Sequence, residues 1–228
     1  SVFTVCDALD YIIINNAQDH KRVFDNDLGP NTGGMGAYSP TNLYNKELEN
    51  KIRKRIIEPT LNAMVDKKAP YTGFLYFGIM LVNGEPYVIE YNVRMGDPET
   101  QVVLPMMKTS LLDIIESALN SNLKTIFYEN NDGYSATVVL SAQGYPNKYE
   151  KGFLIEGLNN LGTDLVFHAG TSINNKNEYI TSGGRILNVV GFGNTLDKAI
   201  SDAYRIVDKI KFKNMHYRKD IGKKGLNC

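Results

Sequence analysis

The sequence lacks several features that mark large classes of protein. Lys plus Arg equals Asp plus Glu at 25 each, so no overall charge favours nucleic acid or an anionic membrane as a partner. No apolar run reaches the ~20 residues that span a bilayer. The two cysteines, Cys6 and Cys228, have neither CxxC spacing nor a neighbouring histidine. We therefore expect no disulfide framework, zinc site, membrane segment or export signal, and a reducing cytoplasm as the location.

Other absences concern catalysis and the start of the chain. The glycine-rich segment does not end in Gly-Lys-Ser/Thr, which excludes a P-loop, and no Ser-His-Asp or Cys-His constellation is evident. The chain opens at Ser1 on a strand-like run without a methionine or a polar lead-in. We expect that an N-terminal part is missing and that it supplies a partner strand for residues 2–5.

The residues that are present predict an α+β protein of two domains, residues 1–129 and 130–228. Local patterns predict the elements. The predicted strands are residues 2–5, 11–14, 74–82, 86–93, 135–141, 165–169 and 185–191. The predicted helices are residues 45–67, bent at Pro59, 109–120 and 195–210. Between residues 15 and 45 the polar, glycine-rich sequence predicts a long loop, and such loops tend to be functional.

The run from Tyr87 to Arg94 carries the clearest chemical pattern. Strand side chains alternate between faces, so Glu90, Asn92 and Arg94 are expected together on one face. Two oxygen donors and a guanidinium suit a hard divalent cation beside a phosphate. From the spacing alone, a solvated face of an amphipathic hairpin explains the pattern equally well.

Two further motifs carry charge on turns. Directly after the strand, Gly96-Asp97-Pro98-Glu99 places two carboxylates on a turn near Arg94. Earlier in the chain, residues 18–40 combine the cations of His20-Lys21-Arg22 with the glycine-rich stretch Asn31-Thr32-Gly33-Gly34. Glycines let backbone N–H groups face an anion, so this segment is interpreted as a phosphate-binding loop, with a flexible linker as the alternative.

These motifs resemble those of the glycinamide ribonucleotide synthetases. The usual signature of that family is Arg-Phe-Gly-Asp-Pro-Glu followed by Gln, and here Met95 stands at the phenylalanine position. Residues 18–40 resemble the same family almost letter for letter, and the similarity runs from about residue 1 to 225. The resemblance implies the second half of an ATP-grasp domain followed by a small β-rich C-terminal domain.

The resemblance also implies a reaction and its site residues. ATP, glycine and 5-phosphoribosylamine would give glycinamide ribonucleotide, ADP and phosphate through glycyl phosphate, in purine biosynthesis. Glu90 and Asn92 would bind Mg²⁺ or Mn²⁺, and Arg94 would steady the transferred phosphoryl group. Asp97 and Glu99 would receive the amine of glycine or order their loop.

The phosphoribosylamine seat implied by the family is Lys21, Arg22, Asn31, Thr32, Gly33 and Gly34. Because the adenine pocket and the ATP lid would lie in the missing N-terminal half, the 228-residue chain is expected neither to ligate nor to bind ATP tightly. Two alternatives stay open, another ATP-grasp carboxylate–amine ligase and a non-catalytic interaction module. No role is assigned to His168, to Arg185 or to the basic C-terminal tail.

Overall fold

A computed structural model describes residues 1–227. Cys6 is buried with a free thiol, whereas Cys228 lies outside the described residues. Within the described part of the chain, no helix is both long and apolar enough to cross a membrane.

The described residues form short strands and helices in mixed order. The strands are β1 Val2–Asp7, β2 Asp10–Asn16, β3 Gln18–Asp19, β4 Arg22–Phe24, β5 Leu28–Asn31, β6 Gly36–Ser39, β7 Thr72–Val82, β8 Glu85–Asn92, β9 Tyr134–Ala142, β10 Leu165–His168, β11 Thr171–Ile173, β12 Tyr179–Thr181, β13 Arg185–Gly193 and β14 Met215–His216. The α-helices are α1 Lys46–Ile52, α2 Glu58–Asp66, α3 Thr100–Val103, α4 Leu111–Leu119 and α5 Leu196–Val207.

These elements assemble into two compact units. Unit 1 contains residues 1–17, 40–96 and 103–131, and unit 2 contains residues 18–39, 97–102 and the chain from 132 onward. The units thus differ from a linear division at residue 130. The physical reason is that β6 pairs with β9 in unit 2, so the early segment 18–39 belongs to the later sheet.

Unit 1 is built on an antiparallel sheet of order β2-β1-β7-β8. The strands predicted at residues 2–5, 11–14, 74–82 and 86–93 are confirmed, and they form two hairpins, β1 with β2 and β7 with β8. Asn83 and Gly84 both have positive φ, 52° and 77°, as a type I′ turn requires. The strand that carries the predicted metal ligands is therefore fixed in register.

A long amphipathic helical segment covers one face of this sheet. Leu48, Ile52 and Leu61 from the helices pack with Leu75 and Phe77 from β7. Between α1 and α2 the backbone widens to a π-helical turn, Arg53–Ile57, with the Glu58 N–H donating to the carbonyl of Arg53. Pro59 supplies no N–H and its ring crowds the preceding turn, so the bend expected there takes the form of this wide turn.

Unit 2 is built on a larger antiparallel sheet of order β10-β13-β9-β6-β3, with β14 also pairing β9. The helix predicted over residues 195–210 forms α5, which begins after the N-cap Thr195. A Cβ added at Gly191 would meet the Ala203 nitrogen at 2.1 Å. Only glycine lets the helix lie this close to β13.

The segment predicted as a long loop instead contains four short strands, β3 to β6. β3 and β6 join the large sheet, while β4 and β5 form a separate hairpin. Strands of two to four residues show no period-2 alternation by themselves, and their pairing partners define them. This segment therefore has a fixed conformation rather than that of a linker.

Candidate functional site

The first group of predicted residues lies on β8 in unit 1. Glu90 pairs with Gly78 and Asn92 with Tyr76 on the neighbouring strand. The amide nitrogen of Asn92 lies 3.4 Å from Oε1 of Glu90, so the two side chains share one face as expected. A Cβ at Gly78 would stand 2.8 Å from Cγ of Glu90. The glycine therefore leaves room for the carboxylate arm.

Glu90 and Asn92 fit a cation that completes its coordination with other oxygens. No group of three or more His, Cys, Asp or Glu residues suited to a metal occurs in the part of the chain that the structure describes. Mg²⁺ commonly takes one or two protein oxygens and fills its shell with phosphate and water oxygens. Since Asn92 turns its amide nitrogen toward Glu90, binding through both oxygens requires that amide to rotate.

Arg94 lies outside the strand that was expected to carry it. β8 ends at Asn92, and the Arg94 guanidinium is exposed and donates to the backbone carbonyl of Met95 at 2.9 Å. The alternation that places Glu90 beside Asn92 therefore stops before Arg94. Its long side chain is held by one backbone contact, which leaves it free to reorient toward an anion.

The second group lies in unit 2, where two distant motifs meet at one arginine. Nη1 of Arg185 donates to the carbonyl of Gly33 at 3.0 Å and to that of Asp97 at 2.9 Å, while Nη2 donates to Asp97 Oδ2 at 2.7 Å. The other carboxylate oxygen of Asp97 accepts from Gln101 at 3.1 Å. Of the two roles considered for Asp97, these contacts favour ordering of the loop.

The backbone N–H groups of Gly33 and Gly34 have partners within the unit. Gly33 donates to the Tyr145 hydroxyl at 3.0 Å, and Gly34 donates to Thr32 Oγ1 at 2.9 Å. Both amides therefore have hydrogen-bond partners within the unit, and their contact with an anion stays a prediction. Gly34 has φ of 119°, and a Cβ there would meet Cδ of Pro98 at 2.3 Å. Glycine is needed at this position for close packing against the turn.

The remaining residues of the predicted seat shape the same segment. The hydroxyl and the N–H of Thr32 both donate to the carbonyl of Lys21, at 2.8 and 2.7 Å. Arg22 donates to the carbonyl of Gly29 at 2.7 Å, and Asn31 pairs with Arg22 across the β4–β5 hairpin. The residues Lys21 and Arg22 are exposed, and the Lys21 ammonium pairs with Asp19, so these side chains carry the loop's positive charge.

A buried carboxylate pair, Asp19 and Glu99, lies beside this loop, and sequence reasoning did not select Asp19. The Lys21 ammonium lies 2.6 Å from Oδ2 of Asp19, while Oδ1 has no hydrogen-bond partner among the described residues. Burial, with repulsion from Glu99, raises the pKa of Asp19 to about 7. The sequence offered one indication of Asp19, because this acid lies two residues before Lys21 within the motif of residues 18–40.

His20 and residues 218–222 near the C-terminus make buried polar contacts that hold this segment in place. Gly222 donates to Nε2 of His20 at 3.2 Å, and burial together with the Arg218 charge lowers the pKa of His20 to about 4. Arg218 is fully buried and ion-pairs with Asp27 and Asp220. Within the basic C-terminal tail, to which the sequence assigned no role, Arg218 is therefore a buried anchor of the β4–β5 hairpin.

Comparison with known proteins agrees with this architecture. Residues 1–100 match the family model described as phosphoribosylglycinamide synthetase, ATP-grasp (A) domain, and residues 135–224 match the model of its C domain. A biotin carboxylase from Campylobacter jejuni, 15% identical, aligns with a TM-score of 0.60 over 95% of this chain and 46% of its own, which shows the fold alone. The chain is therefore a mixed α and β protein with the ATP-grasp fold and a C-terminal domain, as expected.

Two more similar proteins specify the family. A phosphoribosylamine–glycine ligase from Fusobacterium nucleatum is 45% identical over 226 residues, which cover 97% of this chain and 53% of the relative. The crystal structure of the phosphoribosylamine–glycine ligase from Thermotoga maritima, 35% identical, aligns with a TM-score of 0.88 over 96% of this chain and 54% of its own. This chain belongs to the phosphoribosylglycinamide synthetase family. It spans about half the length of the curated relatives that it matches.

Proposed function

We propose that this chain is part of a ligase that joins glycine to 5-phosphoribosylamine, with ATP converted to ADP and phosphate, in purine biosynthesis. The observation that carries the proposal is the match of nearly the whole chain to phosphoribosylamine–glycine ligases, with the Glu90–Asn92 pair and the Asp97 turn in place. In the proposed reaction the glycine carboxylate attacks the terminal phosphate of ATP and ADP leaves. The amine of 5-phosphoribosylamine then attacks the carbonyl carbon of glycyl phosphate. The amine loses a proton, and phosphate leaves from that carbon.

The residues of β8 suit the first step. Glu90 and Asn92 would hold Mg²⁺ or Mn²⁺, which when bound neutralises the charge of the triphosphate. Arg94 would contact the phosphoryl group during transfer, since its exposed guanidinium has only a backbone carbonyl to leave. Stabilising the charge that gathers in this step makes a separate nucleophilic side chain unnecessary.

The residues of unit 2 suit the amine substrate. Lys21 and Arg22 would meet the phosphate of phosphoribosylamine with their side chains, while Asn31 to Gly34 set the shape of the seat. Asp97 would order the turn that carries the buried Glu99. A role for Glu99 toward the amine of glycine, and a cytoplasmic location, remain predictions from the sequence.

The metal assignment is tested by Glu90→Gln in the full-length enzyme that contains this chain. Glycine-dependent ADP release should fall by about 100-fold or more, because the variant loses a charged oxygen donor. Glu85→Gln on the same strand is the matched control, since Glu85 pairs with Lys51 and Arg55. Equal activity of the two variants would contradict the assignment, and a panel of other amines tests the choice of substrate.

We also propose that ligation needs the part of the enzyme that this chain does not contain, in keeping with its half-length match to the relatives. The chain alone should neither release ADP in the presence of both substrates nor bind ATP tightly. The measurement is ADP production and calorimetric ATP titration, with the full-length enzyme as the positive control. Measurable glycine-dependent ADP release by the 228-residue chain would refute this expectation.

A further inference from the structure

We propose that Arg185 is a positioning residue that holds the Asn31–Gly34 loop and the Asp97–Glu99 turn as one rigid substrate site, an inference that rests on the function proposed above. Arg185 is the first residue of β13. The preceding Ser182-Gly183-Gly184 is as typical of a hairpin turn as of a ligand contact. Its side chain is only 20% exposed. The backbone of Arg185 is therefore fixed by the strand, and its guanidinium is held by the Asn31–Gly34 loop and the Asp97–Glu99 turn.

The contacts of Arg185 use the fork geometry of a guanidinium. One nitrogen donates to two backbone carbonyls, of Gly33 and Asp97, and the other donates to the Asp97 carboxylate. Three acceptors from two segments are thus met by one guanidinium, which a lysine ammonium reproduces poorly. The carboxylate bond is charge-assisted, so it fixes the side chain of Asp97 as well as its backbone.

The surroundings of the guanidinium are fitted to it. A Cβ at Gly33 would lie 3.1 Å from Cζ of Arg185, so the loop passes directly over the charged group. The Tyr145 hydroxyl accepts the Gly33 N–H, so both the N–H and the carbonyl of Gly33 have hydrogen-bond partners. Packing of Gly34 against Pro98 then joins loop and turn without intervening atoms. Arg185 therefore determines where Lys21 and Glu99 stand relative to each other.

The kinetic test uses Arg185→Ala and Arg185→Lys in the full-length enzyme. A site misplaced by about 1 Å loses about 100-fold in rate, so kcat/KM for phosphoribosylamine should fall by about that factor in Arg185→Ala. KM for ATP should change by less than about twofold, because Arg185 contacts neither Glu90 nor Asn92. Added methylguanidinium should restore activity to Arg185→Ala by about tenfold and leave Arg185→Lys unchanged.

The matched control is Arg205→Ala, which removes a guanidinium of the same unit that pairs with Asp164 and Asp202. It should retain activity within about twofold of the parent enzyme. Activity of Arg185→Ala near that of Arg205→Ala, or an equal rise in KM for all three substrates, would overturn the proposal.

Hydrogen exchange separates this proposal from the proposed function. In the same full-length proteins, the amides of Gly33 and Gly34 should exchange at least about tenfold faster in both Arg185 variants, and at the parent rate in Arg205→Ala. Unchanged exchange of the Gly33 and Gly34 amides would overturn the positioning role of Arg185 even if the enzyme ligates phosphoribosylamine. Absence of ligation by the parent enzyme would instead refute the proposed function, and the exchange rates would still decide the role of Arg185.

Discussion

Replacing Asp19 by Asn should stabilise the protein at alkaline pH and have little effect at acidic pH. The Asp19 side chain is only 4% exposed and lies close to the buried Glu99, and only Oδ2 has a cationic partner, Lys21. The carboxyl group therefore keeps its proton in the folded protein up to about pH 7, whereas the ordinary value is 3.8. Asparagine has nearly the same shape as the protonated acid and no charge.

The sign of the effect follows from proton binding. Since the folded-state pKa of Asp19 is raised, the folded protein holds a proton over a range in which the unfolded chain has released it. The associated stability is complete below about pH 4 and is lost as pH rises through about 7. Between about pH 5 and pH 8.5 this shift is worth on the order of 2–3 kcal/mol, and the Asn variant should avoid that loss.

The assay is urea unfolding at both pH values, followed by circular dichroism and by tyrosine fluorescence, since the sequence has 14 tyrosines and no tryptophan. His20, whose lowered pKa gives the opposite pH dependence, is present in both proteins and cancels in the comparison. Asp164→Asn is the control. Hydrogen bonds from Arg205 and Lys209 lower the pKa of Asp164 to about 2, so its effect should be equal at both pH values. The same stability difference at pH 5 and pH 8.5 for Asp19→Asn would refute the reasoning.

Two further predictions concern packing and buried charge. Gly34→Ala should cost at least about 3 kcal/mol in the free energy of unfolding, because the added methyl meets Pro98 as well as a strained φ. Gly84→Ala, with positive φ and open space, should cost only about 1–2 kcal/mol, and equal losses would show that the clash with Pro98 is relieved. Arg218→Ala should cost about 3–5 kcal/mol because Asp27 and Asp220 lose a buried partner. Arg205→Ala, which removes an ion pair of a 48% exposed side chain, should cost much less, and similar losses from both arginines would contradict the anchoring role of Arg218.

The elements that the sequence predicted well are those with local signals. Asn83-Gly84 defines the β7–β8 hairpin through positive φ, and Ser110 caps α4 by accepting from Asp113. Alternation along β8 correctly placed Glu90 beside Asn92. In each case the determining residues are neighbours in the chain, so the physical cause is visible in a short window of sequence.

The parts that the sequence did not predict depend on distant partners. β6 is a strand because β9 pairs with it, and nothing within Gly36–Ser39 signals that pairing. The hydrogen bond between Arg185 and the Gly33 carbonyl joins residues 152 positions apart, so no local sequence pattern predicts it. The glycine loop illustrates the same limit, because the Gly33 amide donates to Tyr145, which lies 112 positions further along the chain.

The pairing of β6 with β9 also governs how this chain can be made and divided. During synthesis, residues 18–39 leave the ribosome long before β9 exists, so the sheet of unit 2 is completed late and its early segment waits without a partner. A gene cut near residue 130 would yield a C-terminal product whose β9 has an open edge, with unpaired N–H and C=O groups that favour aggregation. Supplying residues 18–39 as a separate peptide should close that edge, so complementation in trans is expected to restore the β6–β9 pairing that the linear C-terminal product lacks.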